Sequence, residues 1–342
     1  MTVPKTLVEK LSETIDSLNP DKIFIVTDSV VDGLTHGFLP EYERIVFPAG
    51  EENKNLDSIV KIWDSLSENG ATRRTLLLNL GGGMVSDLGG FAAATFKRGI
   101  NYANIPTTLL AAVDAAIGGK TGINFRGYKN EIGAFRMPLF TIPLIESFST
   151  LPYSEMLSGY GEMLKTGLLI GDNAFAEMCI PDFLDIDKPS FKKYVEECAA
   201  FKQKIVTADP TEKGLRKILN LGHTFGHAFE SLMIRRSAPV AHGIVVAHGI
   251  LAALILSRML LDLERNTLYR YADVLKNVFP KLSLNCDDAE TLLDMMGHDK
   301  KNLTAGRPRF VLLERPGEAV YDVEPSREDI LSAYEIYRDM IL

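Results

Sequence analysis

Cysteine is scarce in this 342-residue sequence. Cys179, Cys198 and Cys286 are an odd number, set too far apart for a metal-binding cluster, so a disulfide scaffold is excluded and a reducing compartment is expected. Positive charge is also in deficit, with 37 Lys+Arg against 45 Asp+Glu and a net charge of −8. A chain of that sign has no general attraction for nucleic acid or anionic membrane, so neither is expected as a partner. Any anionic substrate must instead meet Lys and Arg gathered locally. No apolar leader is apparent either: charges interrupt MTVPKTLVEKLSETIDSL before an apolar core forms, which agrees with a cytoplasmic protein. One stretch resembles a membrane span, the nineteen residues from Ala238 to Leu256 without Lys, Arg, Asp or Glu. Pro239, His242, His248 and two glycines interrupt it, and such residues are costly in lipid, so a helix buried inside the protein is expected.

What is present is the composition of a folded protein, 46% hydrophobic and 24% charged, and its length exceeds the ~150 residues typical of one core. Two domains are expected, 1–150 and 151–342. In the first, KIFIVTD (22–28), RTLLLNL (74–80), NYANIP (101–106) and LFTIPLI (139–145) read as strands, the first two buried on both faces. LDSIVKIWDSL (56–66) and MVSDLGGFAAATF (84–96) carry helical spacing between them, the pattern of a nucleotide-binding α/β domain. Beyond Leu151-Pro152 the spacing turns helical over 154–170, 190–208, 218–233 and 244–261, with RPRFVLLE (307–314) as a strand.

Four motifs have the residue types of a chemical site. Gly81, Gly82 and Gly83 follow a strand and precede a helix, which suits either a phosphate approaching backbone N–H groups or a tight turn. Asp87, one turn later, suits a cap or a cofactor contact. PTTLLAAVDAAIGGKTGINFRGYKN reads as a loop that combines Asp114, Lys120, Asn124, Arg126, Lys129 and Asn130, a concentration of donors suited to phosphate or carboxylate, or else simply a solvated basic loop. His223, His227 and Glu230 stand at i, i+4 and i+7, one face of a helix on which two imidazoles can share a metal ion. Glu162 and Lys165, at i and i+3, read as a surface ion pair by spacing alone, but their neighbours are apolar and glycine-rich. His242 and His248 fall on helix faces ~120° apart, so only one can look into a given site, and His242 is the better placed.

Taken together, GEENK (50–54), GGGMVSDLGGFAAATFKRG (81–99), IPTTLLAAVDAAIGGKTGIN (105–124), KNEIGAF (129–135), GYGEMLKTGL (159–168), DPTEKGLRKILNLGHTFGHAFE (209–230), HG (242–243) and HDKKN (298–302) resemble the 3-dehydroquinate synthases, members of the sugar phosphate cyclases. The resemblance implies the dehydroquinate synthase-like fold, an NAD-binding α/β (Rossmann-like) N-terminal domain followed by a mainly α-helical C-terminal domain, usually as a homodimer. It implies Glu162, His223 and His242 as ligands of Zn2+ or Co2+, and His227 as a substrate contact. NAD+ would be held by Glu51 and Lys54, by Gly83, Met84, Val85, Ser86 and Asp87, by Thr107 and Thr108, by Lys120 and Lys129, and by Thr150. The anionic sugar-phosphate substrate would meet Arg98, Asp114, Lys120, Asn130, Lys165, Lys202, Arg216, Asn220, His227 and Lys300.

The implied reaction turns 3-deoxy-D-arabino-heptulosonate 7-phosphate into 3-dehydroquinate and phosphate, with NAD recycled. This chain departs from the common pattern at Ile244, where most relatives carry Glu, at Ser154, where Arg is frequent, and at Ser86, which replaces a glycine. Two other enzyme readings share the pattern: a cyclase for a substrate lacking the carboxylate, and a metal-dependent alcohol dehydrogenase of the glycerol dehydrogenase type that consumes NAD. Intact DAAIGGKTGIN with Arg126, Lys129 and Asn130 favours the carboxylate-bearing substrate. A binding module without chemistry is disfavoured because Glu162, His223 and His242 are all present.

Overall fold

A computed structural model of the chain describes residues 5–37, 39–126, 128–297 and 307–341. The chain divides into two compact units, Met1–Pro152 and Tyr153–Leu342.

The first unit runs α1 (Lys5–Leu18), β1 (Ile23–Asp28), α2 (Ser29–Thr35), β2 (Glu43–Phe47), α3 (Leu56–Glu68), β3 (Leu76–Gly81), α4 (Gly83–Thr95) and β4 (Asn101–Pro106). These strands form one parallel sheet in the order β2-β1-β3-β4. Alternate side chains bury on opposite faces. Phe24, Val26 and Leu77 pack with Ile59, Ile62 and Leu88 of α3 and α4, whereas Ile25, Leu76, Leu78 and Leu80 pack with Leu11 and Ile15 of α1. Both faces are thus covered, which is the doubly wound plan expected from the buried strand patterns. The order reverses between β1 and β3, so the carboxyl ends of these strands flank the crevice where such sheets bind ligands.

Two expectations for this unit need correction. Residues 139–145 form no regular strand: Leu139 and Ile142, three residues apart, donate to Tyr102 and Asn104, two residues apart, so the alternation is broken and, among the described residues, only one bridge, Asn104 to Thr141, forms. The basic segment after Gly119 is not a loop. It is an antiparallel hairpin, β5 (Lys120–Phe125) and β6 (Tyr128–Phe135), which the irregular spacing of its apolar residues conceals.

The second unit runs α5 (Tyr153–Ile170), α6 (Asp172–Met178), α7 (Pro189–Ala208), α8 (His223–Arg235), α9 (His242–Leu261), α10 (Arg265–Val278), α11 (Asp288–Gly297), β7 (Phe310–Arg315), β8 (Glu318–Val323) and α12 (Arg327–Ile341). By length and composition α9 could span a membrane. Here it is the central core helix, packed by α5, α8, α10, α12 and β7. The continuous helix expected over 218–233 is broken. A 3₁₀ turn, Leu215–Asn220, ends before Gly222, whose φ of 78° a side chain rarely adopts, and α8 starts afresh at His223. Strand β8 was not expected; it pairs with β7 as a hairpin around Gly317.

Candidate active site

In the α/β unit the relevant groups gather at the carboxyl ends of the strands. Gly82 leads into α4 with no side chain capping that helix, so the N–H groups of its first turn remain available to an anion. The Thr107 N–H donates to the Gly81 carbonyl, holding the end of β4 beside this turn, and the Thr107 hydroxyl is buried with no hydrogen-bond partner among the described residues. Thr108 lies against Gly82, where a β-carbon would sit 3.0 Å from its methyl group. Ser147 donates to the Thr107 carbonyl, and Thr150 donates to Ser147, so the turn ending at Thr150 is tied to the same strand end.

Lys54 is the hub of this cluster. It is almost fully buried, and its Nζ reaches Asp87 Oδ2 at 2.5 Å, Asn130 Oδ1 at 2.6 Å and Glu51 Oε1 at 3.7 Å. Asn124 fastens the pieces: its Nδ2 donates to Glu51 Oε1 at 2.9 Å, its Oδ1 accepts from the Asn130 N–H at 3.1 Å, and its own N–H donates to the Lys54 carbonyl. Asn130 adopts φ 53°, a conformation asparagine tolerates and which these bonds hold. Lys120 opens β5 and Lys129 lies on β6, both exposed, and Asp114 sits in the π-helical turn Ala111–Ala115. Arg98 is not part of this cluster within the unit. It is exposed beyond the far end of α4, about 18 Å from Gly83 by helix rise.

In the helical unit Glu162, His223 and His242 converge from α5, α8 and α9. Glycines allow it: a β-carbon on Gly161 would stand 2.1 Å from the Gly243 carbonyl oxygen, and one on Gly243 1.7 Å from that of Ser158. The backbones of α5 and α9 therefore touch beside Glu162 and His242. Ser158 Oγ also accepts from the Gly243 N–H at 3.0 Å. Glu162 and Lys165 are 0% and 1% exposed, which rules out the surface ion pair that their spacing alone allows. The Lys165 ammonium sits against Glu162 Oε2, while Oε1 accepts no hydrogen bond among the described residues.

A buried carboxylate oxygen without a donor is costly, and the groups facing it explain how that cost is met. Nε2 of His223 and Nε2 of His242 each lie 3.7 Å from Oε1. That is long for a hydrogen bond and close to the roughly 3.4 Å between two ligands of one tetrahedral ion. Nδ1 of His223 is 3.2 Å from the Leu221 carbonyl, and Nδ1 of His242 is 3.5 Å from Glu230 Oε2. Nitrogens of His223, His227 and His242 all lie within 4.8 Å of one another, so the donor set fits a divalent ion.

Two further cationic side chains are buried in the same unit. Lys202 on α7 and Arg216 are buried, and Arg216 Nη1 donates to the Pro210 carbonyl at 2.7 Å. Asp209 organises that loop: backbone N–H groups of Gly214, Lys213 and Arg216 bind its carboxylate and, Gly214 foremost, hold it below the usual carboxylate range against the opposing effect of burial. Asn220 donates to Glu212 Oε1 at 2.6 Å. Lys300 lies outside the described residues. Asp209 stands in none of the donor sets named from the sequence, and Asn124 appears there only as one member of a donor-rich segment. Glu230 carried a signal, its i+7 spacing from His223.

Solved structures share this fold closely. A 2-deoxy-scyllo-inosose synthase complexed with carbaglucose-6-phosphate, NAD+ and Co2+ superposes with a TM-score of 0.84 at 24% identity, covering 98% of this chain and 95% of that one. The 2-epi-5-epi-valiolone synthase of Streptomyces hygroscopicus, with NAD+ and Zn2+ bound, gives 0.81 at 23% identity over 98% and 95%. A probable glycerol dehydrogenase from Sinorhizobium meliloti reaches only 0.65 at 14% identity, with 98% and 94% covered. The fold is therefore the one seen in these synthases, an α/β unit followed by a helical one. Sequence narrows the class further. The family descriptions "3-dehydroquinate synthase N-terminal" and "3-dehydroquinate synthase C-terminal" match residues 44–158 and 159–302. A 3-dehydroquinate synthase of Parabacteroides distasonis is 41% identical over 99% of this chain and 98% of its own length, and one of Thermococcus kodakarensis is 40% identical over 98% and 94%. The chain belongs to the 3-dehydroquinate synthase family.

Proposed function

We propose that this chain is an NAD- and metal-dependent lyase converting 3-deoxy-D-arabino-heptulosonate 7-phosphate to 3-dehydroquinate and phosphate, a step of aromatic amino acid biosynthesis by the shikimate pathway. It works in the cytoplasm as a homodimer, with the anionic sugar phosphate as its partner and neither nucleic acid nor membrane. The observation that carries the reading is the buried Glu162 Oε1, which lacks a hydrogen-bond donor and faces two imidazole nitrogens. Glu162, His223 and His242 would hold Zn2+ or Co2+ there. The Gly83–Asp87 turn, Glu51, Lys54, Thr107, Thr108, Lys120, Lys129 and Thr150 would hold NAD+. When bound, NAD+ takes up and returns one hydride at a ring carbon, and the ion acts as a Lewis acid on substrate oxygens.

The remaining work falls to the chain's own side chains. Lys165, fixed by Glu162, keeps an ammonium beside the carboxylate in a site closed to water. Lys202 and Arg216 are immobilised before substrate arrives, so little side-chain entropy is lost when they bind carboxylate and phosphate oxygens. Asn220, oriented by Glu212, contacts a ring hydroxyl, and His227, one turn beyond His223, contacts substrate as a hydrogen-bonding group. The resemblance adds Arg98, Asp114, Asn130 and Lys300 as substrate contacts, although Arg98 stands apart from the Lys54 cluster in its own unit. Asn130 shares the Lys54 ammonium with Asp87, so one cation orients a substrate contact and a cofactor contact together.

The test is phosphate release from the heptulosonate phosphate with NAD+ well below one equivalent of product and added Zn2+ or Co2+. Release should run far past one equivalent of NAD+ with no lasting rise in NADH absorbance. Stoichiometric NADH would instead indicate an alcohol dehydrogenase, and equal use of an analogue lacking the carboxylate a different cyclase.

A further inference from the structure

An imidazole that binds a metal through Nε2 must carry its proton on Nδ1, and whatever accepts that proton sets the tautomer and the tilt of the ring. For His223 the acceptor is backbone, the Leu221 carbonyl. For His242 the group facing Nδ1 is a side chain, placed as an ion-pair contact: Oε2 of Glu230 stands 3.5 Å from Nδ1, away from the Nε2 that faces Glu162. Glu230 lies seven residues after His223 on α8, two turns along the same face, so one helix provides a ligand and also reaches the ligand of its neighbour. The pair is sheltered, with the Glu230 side chain 14% and the His242 side chain 35% exposed, so solvent screens it less than a surface ion pair. Ile244, two residues beyond His242, is buried and offers no carboxylate for the task.

The geometry points to Glu230 as a positioning residue of the metal centre: its carboxylate faces Nδ1 of His242 and fixes the tilt of the ring, so that Nε2 is aimed at the position shared with Glu162 and His223. This rests on the reading of Glu162, His223 and His242 as ligands. Glu230 is not itself a ligand, because it meets the ring nitrogen that points away from Glu162.

The experiment is Co2+ titration of the chelator-treated full-length protein, read by the visible d–d bands, with affinity from chelator competition. It compares the wild type with E230Q, E230A, H242A and H242A/E230Q. The wild type should bind one Co2+ per chain, and E230Q and E230A should bind about 10–100-fold more weakly with a shifted band. In the H242A background E230Q should cost nothing further, because its effect passes through that ring. Wild-type affinity and spectrum in E230Q and E230A would overturn the proposal, even if their metal-free melting temperatures fell. A wild type without a specific Co2+ site, or an H242A variant that binds as the wild type does, would overturn the ligand assignment instead.

Discussion

Acid should weaken the protein through His248, and the size of the effect follows from its surroundings. His248 lies within α9 at 1% exposure, with Nε2 2.9 Å from the Pro280 carbonyl and Nδ1 2.8 Å from Tyr337 Oη. The carbonyl can only accept, so Nε2 carries the proton and Nδ1 accepts from the Tyr337 hydroxyl. A second proton would have to displace that donor in an apolar interior. Burial therefore lowers the pKa to about 4, only partly offset by the bond to Pro280. In the unfolded chain the ring titrates near 6.5. Between these values the unfolded state binds more protons, so stability is fully present above pH 6.5 and is lost as pH falls towards 4. Linkage gives a loss of about 2 kcal/mol between pH 7 and pH 5 and roughly 3 kcal/mol in all. Urea unfolding at a series of pH values, for the wild type beside His248→Gln, measures it. The variant starts less stable but should lack this part of the pH dependence. Parallel curves for the two proteins would refute the reasoning.

Three further outcomes are expected. Gly243→Ala places a methyl group 1.7 Å from the Ser158 carbonyl oxygen, so α5 and α9 must part; by the usual cost of overpacking it should lose about 3 kcal/mol or more in urea unfolding, along with metal affinity, whereas Gly33→Ala in α2, which meets nothing within 4 Å, should gain up to about 1 kcal/mol. His223→Ala should abolish bound metal, read by elemental analysis, and turnover while leaving the far-ultraviolet circular dichroism unchanged. Lys202→Ala should lower kcat/KM for the heptulosonate phosphate about tenfold or more at nearly constant melting temperature, whereas Arg216→Ala should lower both, because it also loses the bond to Pro210.

Legibility in the sequence followed burial. Strands β1 and β3 are apolar on both faces, and α3 and α4 carry clear helical periods, so the doubly wound plan could be read directly. The β5–β6 hairpin could not, because the face of β6 that would mark a strand is almost wholly exposed. The break at Gly222 depends on a close approach by Ile250, which no local pattern encodes. His223 and His227 announced themselves by spacing. Glu162 and Lys165 did not, since i, i+3 pairs look the same on a surface and in a core, and only the resemblance distinguished them. The roles of Asn124 and Asp209 come from bonds to backbone and to distant side chains, and such bonds leave no periodic trace.

The contact of α5 and α9 through Gly161 and Gly243 bears on the order of events when the chain folds. Donors at 162, 223 and 242 come from three helices, and two of them face each other only because the backbones beside them already touch. A small zinc module gathers its ligands from neighbouring turns and is folded by its ion. On the proposed ligand set no two ligands are neighbours in sequence, and only the His223–His227 pair offers an unfolded chain a local place to chelate. With Glu162, His223 and His242 as ligands, the ion would be captured by a helical unit that has already packed, and its uptake would report completed tertiary structure rather than initiate it.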